Sequence, residues 1–194
     1  MKKIYLVVLV LLIGCSSDSV DSSDETPVII ETGLKDLATS KGKFIGNLMR
    51  DGFFDNHDIY NGAIDNILKT EYNALVTGNK LKMVNLLRDR PEDPFNIKIS
   101  DLNTYNIDRF VNYANKHNMK KRGHVMIWYK QIPNWLDEES KTWTSQQIYD
   151  FTESYIRALS RYTNGKIDEW DVLNEAIVFN GYRSNTWYEK VNVQ

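Results

Sequence analysis

The 194-residue sequence contains one cysteine, Cys15, so no disulfide can form within the chain and no disulfide framework organises its fold. Its three histidines, His57, His117 and His124, are scattered and match no metal-ligand spacing. A formal net charge of -2 gives no reason to expect nucleic acid as a partner. The apolar run Ile4 to Ile13 is too short to span a bilayer comfortably. Gly46-Asn47-Leu48, beside the first candidate strand, does not fit a glycine-rich phosphate loop, which counts against nucleotide binding. No internal repeat is present. What remains is a chain 42% hydrophobic and 26% charged, enough for one ordinary domain with its own core.

The first residues carry a different signal. Lys2 and Lys3 precede the apolar run, which ends at Gly14-Cys15. A charged start followed by a short apolar stretch is the pattern of a secretory signal peptide, here residues 1–14. Leu12-Ile13-Gly14-Cys15 resembles the bacterial lipobox, in which the cysteine is lipidated after cleavage and becomes the first mature residue. That resemblance implies a lipid anchor at Cys15 and a place in the cell envelope, at the outer membrane or surface of a Gram-negative bacterium. The alternative is an ordinary signal peptide in which the cysteine is incidental. Residues 15–33 read as a flexible tether. Ser16 to Thr26 has four acids, five serines and one apolar residue, too little apolar surface to order itself. Acids just after a lipidated cysteine also resemble a surface-export signal; a plain solvated linker is the alternative.

From residue 34 the pattern alternates short apolar strands with amphipathic helices. Leu34–Ala38 is a helical lead-in and Phe44-Ile45-Gly46 a first strand. Ile59 to Tyr72 is a helix with Ala63, Ile64, Ile67 and Leu68 on one face, and Ala74 to Thr77 a second strand. Asp101 to Asn118 is a helix whose Ile107, Phe110, Val111 and Ala114 form one buried stripe. Lys121 to Trp128 is a third strand. Ser145 to Asn164 is a helix with Ser145 as N-cap and Asn164-Gly165 closing it, and Lys166 to Leu173 is a fourth strand. Val84 to Ser100, with Pro91 and Pro94, is a long connection of the kind that forms a functional lip or a family insertion. Alternation at this pace predicts a parallel sheet. Polar residues gather after the second, third and fourth strands, where both a closed barrel and an open doubly wound sheet place their sites.

The fourth strand ends in Asn174-Glu175, an amide and a carboxylate side by side. The third runs from Val125 to Ile127 into a polar and aromatic mouth of His124, Trp128, Gln131 and Trp135. RGHVMIWYKQIPNW (Arg122 to Trp135) and WDVLNEA (Trp170 to Ala176), with YNALVTGNKLKM (Tyr72 to Met83), resemble the third-, fourth- and second-strand motifs of glycoside hydrolase family 10, the endo-1,4-β-xylanases. The resemblance runs from about Lys41 to the C-terminus. It implies a (β/α)8 TIM barrel, of which residues 34–194 hold about the first four β/α units, the N-terminal half of a catalytic domain. A complete barrel needs eight strands in about 250 residues, so the expectation is a truncated one.

The resemblance also implies roles. Glu175 matches the general acid/base, which must hold its proton near neutral pH, and Asn174 the amide that binds the 2-hydroxyl of the reacting sugar. His124, Asn79 and Lys82 match residues that hold sugar hydroxyls, Gln131 one that binds a sugar further out, and Trp128 the ring beneath the reacting sugar. Five tryptophans and eleven tyrosines suit stacking on sugar faces, but aromatics fill cores as readily. The implied partner is xylan or a xylo-oligosaccharide, with no cofactor and no metal. Three positions depart from the pattern. Gly78 stands where a glutamate usually binds the outer sugar, Met83 replaces a tryptophan, and Tyr129 stands where histidine is common. The family's nucleophile, a glutamate on the seventh strand, is not expected within these 194 residues. Asp171 reads as a structural carboxylate rather than its substitute. Two alternatives remain at this point: another β-1,4-glycanase, and a non-catalytic surface glycan-binding lipoprotein.

Overall fold

The computed structural model describes residues 33–54 and 60–185. The expected signal peptide, Cys15 and nearly all of the expected tether lie outside the described residues. The described part begins with helix α1 (Leu34–Ser40) and strand β1 (Gly46–Met49), followed by the short helix α2 (Asp51–Phe54). A π-helical turn over Tyr60–Ile64 leads into α3 (Asp65–Glu71), and β2 (Ala74–Thr77) follows. Then come α4 (Met83–Leu86), a 3-10 turn over Ile99–Asp101, α5 (Tyr105–Lys116) and β3 (Lys120–Ile127). Helices α6 (Asn134–Ser140) and α7 (Ser145–Thr163) precede β4 (Glu169–Leu173), and a hairpin of β5 (Ile177–Val178) and β6 (Gly181–Tyr182) closes the described chain.

Strands β1 to β4 form one sheet in sequential order, every pair parallel. Each crossover therefore returns to the strand beside the last, as in a barrel of repeating β/α units, and all four carboxyl ends face the same way. Helices α5 and α7 pack on the sheet because their apolar residues recur at helical spacing. Ile107, Phe110, Val111 and Ala114 of α5 are buried, as are Ile148, Phe151, Tyr155, Ala158 and Leu159 of α7. Polar bonds tie the layer together: Tyr113 Oη donates to Asp65 Oδ1 at 2.8 Å and Tyr162 Oη to Asp108 Oδ1 at 2.6 Å. The Asn73 carboxamide fastens the approach to β1. Its oxygen accepts from the Ile45 N–H at 2.8 Å and its nitrogen donates to Lys43 O at 3.1 Å.

Several boundaries differ from the sequence expectation, each for a physical reason. The first strand is Gly46–Met49, not Phe44–Gly46, because the ladder that defines it pairs Gly46 with Ala74 and Met49 with Thr77. Phe44 is left 64% exposed. The helix expected over 59–72 is regular only from Asp65, since Gly62 takes a non-helical backbone (φ -108, ψ -106). The N-cap of α7 is Thr144 rather than Ser145: its hydroxyl accepts the Gln147 N–H at 3.2 Å and the Gln147 side chain accepts the Thr144 N–H at 2.9 Å, a capping box. The fourth strand starts at Glu169 because Lys166 and Ile167 still donate their N–H groups to Thr163 O at the helix end. Like β1 it is an edge strand of the described sheet, and Val172 and Leu173 are 50% and 61% exposed. The long connection after β2 holds helix α4 and buries Leu86, Leu87 and Ile97.

Candidate active site

The parallel sheet delivers one segment from each strand to the same end, where Asn79, Lys82, Trp128 and Glu175 come together. Met49, at the end of β1, is followed two residues later by Asp51. Thr77 ends β2 and is followed by Gly78, Asn79 and Lys82. Ile127 ends β3 and leads to Trp128, Tyr129 and Gln131, and Leu173 ends β4 immediately before Asn174-Glu175. The Asn174 N–H donates to Ile127 O at 3.0 Å, carrying the β3–β4 pairing one step past the strand and fixing where the acid emerges.

Glu175 has φ 55, a left-handed backbone that non-glycine residues adopt rarely. Bonds on both sides hold it. Trp128 Nε1 donates to Glu175 Oε2 at 3.1 Å, and Arg183 Nε donates to Glu175 O at 2.9 Å. The Arg183 guanidinium stacks on Tyr129 (4.2 Å to the ring centroid) and lies 3.8 Å from Glu175 Oε2. The Arg183 backbone N–H donates to Ala176 O at 2.8 Å, which anchors the hairpin against the segment that carries Glu175. Trp128 and Tyr129 meet edge to face at 5.7 Å.

On the other side of Trp128 stands Lys82, its ammonium 4.3 Å from the ring centroid and donating to Asn79 Oδ1 at 2.9 Å. Lys82 is only 8% exposed. Burial pulls its amine below the ordinary lysine value, while the charges of Asp51 and Glu175 pull the other way. Asn79, Lys82, Trp128 and Glu175 thus form one continuous row across β2, β3 and β4. The row presents amide, ammonium, aromatic face and carboxylate, a set suited to a polyhydroxylated ring.

His124 belongs to a neighbouring cluster. Its Nδ1 lies 2.9 Å from Asp171 Oδ2, and Arg122 also binds the Asp171 carboxylate. Partial burial works to raise the Asp171 carboxyl, but the hydrogen bonds from His124 and Arg122 outweigh it and hold the group below its ordinary value. Asp171 is therefore an engaged structural anion, as its sequence reading anticipated. Gln131 is exposed, with φ 52, and its carbonyl accepts the Val84 N–H at 2.9 Å. This bond pins the loop after β3 to α4. Trp135 donates from Nε1 to Leu87 O at 3.3 Å and packs on the core, so it shapes that loop. Met83 is buried in the core at the start of α4.

Two contributors escaped the sequence reading. Asp51 accepts both the Asn79 N–H (2.9 Å, Oδ1) and its side-chain Nδ2 (2.7 Å, Oδ2). Arg183 is the second. Asp51 could have been sought by the rule that pointed to Glu175, since it too follows a strand's carboxyl end. Arg183 left no such mark.

The sequence profile of glycosyl hydrolase family 10 matches residues 33–193. The chain belongs to this family. The family 10 fold is the (β/α)8 barrel, and β1–β4 are four of its parallel strands. Endo-1,4-β-xylanase B of Thermotoga neapolitana is 28% identical over 187 residues, covering 94% of this chain and 47% of that protein. Endo-1,4-β-xylanase A of Xylanibacter ruminicola is 36% identical over 88 residues, 44% of this chain and 24% of that protein. Among solved structures, xylanase 10B from Thermotoga petrophila RKU-1 in complex with xylobiose superposes with a TM-score of 0.70 at 25% identity, over 83% of this chain and 46% of that one. Native xylanase 10B from Thermotoga maritima, at 23% identity and a TM-score of 0.71, shares the fold. This family 10 chain spans about half the length of the first of these curated relatives.

Proposed function

We propose that the full-length protein is an endo-1,4-β-xylanase that cleaves internal β-1,4-xylosidic bonds with retention of configuration. The observation that carries this reading is the bond from Trp128 to Glu175, which sets a carboxyl at the end of β4 beside an aromatic face and the Lys82–Asn79 pair. The names of its relatives, and the neighbour crystallised with xylobiose, support xylan as the substrate class.

Glu175 gives its proton to the glycosidic oxygen as the bond to the anomeric carbon breaks. A second carboxylate attacks that carbon and forms a covalent glycosyl-enzyme. Glu175 then takes a proton from water, whose oxygen attacks the same carbon and frees the sugar. Asp171 is committed to Arg122 and His124 and does not suit the attacking role. In this proposal the nucleophile comes from barrel strands other than the four described. Asn174 binds the 2-hydroxyl of the reacting sugar, where a hydrogen bond strengthens towards the transition state. His124, Asn79 and Lys82 hold its other hydroxyls or those on the non-reducing side. Trp128 lies under the reacting ring, and Gln131 binds one sugar further out.

The test compares three preparations on xylan: the full-length gene product, its Glu175→Gln variant, and the 194-residue chain alone. The expected result is turnover by the first, a kcat lower by roughly 10²–10⁴-fold in the second, and no release of reducing ends by the third. An undiminished Glu175→Gln enzyme refutes the acid assignment, and turnover by the 194-residue chain refutes the origin given to the nucleophile. Gly78 departs from the family pattern at a position that grips the outer sugar, and Met83 and Tyr129 depart from it as well, so a glucan is the second substrate to try. Preference for a cellulose-type chain would replace xylan with another β-1,4-glycan. The same reading puts the protein in the cell envelope, held by lipid on Cys15. Labelled palmitate should enter the wild type and not a Cys15→Ala variant, and an unlabelled wild type removes the anchor.

A further inference from the structure

The xylanase reading leaves one chemical gap, and the inference below rests on that reading. Gly78 stands where a glutamate would grip the outer sugar, so the position that should offer a carboxylate offers none. The structure brings another carboxylate to the same place. Strands β1 and β2 pair Met49 with Thr77, and the Gly78 N–H donates to Met49 O at 3.2 Å, so the chain just beyond β1 lies against the chain just beyond β2. A Cβ built on Gly78 would lie 3.1 Å from Asp51 Oδ1, closer than ordinary packing allows. The glycine and the aspartate are therefore one arrangement: the first makes room for the second.

We propose that Asp51 supplies the carboxylate that binds the sugar one position beyond the reacting one. Its two oxygens offer about four acceptor positions, and the Asn79 N–H groups occupy two of them. The remaining two suit a pair of neighbouring ring hydroxyls, each a donor to an anion. Asp51 also lies in line with the site. It binds Asn79, which binds Lys82, which stands over the Trp128 ring beside Glu175. On the xylanase reading Asn79 and Lys82 take the non-reducing side, so the row places Asp51 where the next sugar of a β-1,4 chain would lie. The competing role for Asp51 is purely to orient Asn79.

An exchange of positions separates the two roles. The full-length gene product is assayed on an aryl β-xyloside, which fills only the reacting-sugar position, and on an aryl β-xylobioside, which adds the outer one. Asp51→Asn should lower kcat/KM on the xylobioside by roughly tenfold to a hundredfold, the range of a lost charged hydrogen bond, and lower that on the xyloside much less, since there the loss comes only through the bond that Asn79 forfeits. Gly78→Glu alone should also weaken xylobioside turnover, because the new side chain meets Asp51. Combined with Asp51→Ala, Gly78→Glu should recover most of it, since a glutamate restores the carboxylate but cannot remake both bonds to Asn79. Equal losses on both substrates, or a double variant no better than Asp51→Ala, would overturn the sugar-binding role while leaving the xylanase reading intact. A wild-type protein inert on both substrates removes the two together.

Discussion

At the scale of single residues, Trp128 does two separable things. Its indole N–H binds the Glu175 carboxylate, and its ring carries the Lys82 ammonium on the other side. Trp128→Phe keeps a flat apolar ring and removes the N–H. If Glu175 is the proton donor proposed above, losing this bond leaves it less time aligned with the glycosidic oxygen, and kcat of the full-length protein should fall about tenfold or more. Phenylalanine is also a poorer partner for a cation, so a smaller rise in KM should accompany it. An unchanged kcat would mean that the indole N–H has no part in aiming the acid. This pair was legible before any coordinates, because Trp128 and Glu175 each end a strand in a motif. Arg183 was not legible in that way, since it acts through a hairpin that local spacing does not show. Asp51 follows a strand's carboxyl end as Glu175 does, but the first strand was expected to stop at Gly46, so the rule did not reach it.

At the scale of elements, β3 and β4 meet most tightly at Gly123, paired with Trp170. A Cβ on Gly123 would run into the Trp170 ring, which is packed against the core and donates from Nε1 to Thr163 Oγ1 at 3.3 Å. Gly123→Ala should therefore cost about 1–3 kcal/mol, the usual price of overpacking, read as a lower urea midpoint at unchanged slope. A neutral Gly123→Ala would mean that the ring can shift freely. The periodic elements were the readable ones. Helices α5 and α7 carry their buried stripes openly, and β2 is bounded as its apolar run suggests. Strand β1 was displaced because Phe44-Ile45 is the more apolar pair, whereas ladder pairing with β2 decides where the strand lies. Short α6 and the β5–β6 hairpin lack the length for a periodic signal. Their positions depend on contacts with distant parts of the chain, such as the Arg183–Tyr129 stack.

At the scale of the whole molecule, acid should loosen the fold. Partial burial tends to raise the Asp65 carboxyl, but the Tyr113 hydroxyl and the Lys69 ammonium outweigh it, and the group sits below its ordinary value, as Asp171 does. A carboxyl lowered by folding binds fewer protons in the native state than in the unfolded one. The stability it contributes is complete above the unfolded value of about 4 and drains away as pH falls through the lower folded value. The urea midpoint should hold between neutral pH and about pH 5 and drop below about pH 4. Asp65→Asn should start lower at neutral pH and show a shallower acid limb. A variant with the same acid limb as the wild type would place the sensitivity elsewhere.

The sheet order has one more consequence. Because β2, β3 and β4 each lie beside the strand made just before, one neighbour of each has already left the ribosome when it emerges. Synthesis and assembly can run in the same direction without waiting for a distant partner. The loop holding Lys82 comes out before the indole it stands over, and the indole before Glu175, so that carboxylate is the last of the row to be made and the Arg183 hairpin that holds it follows.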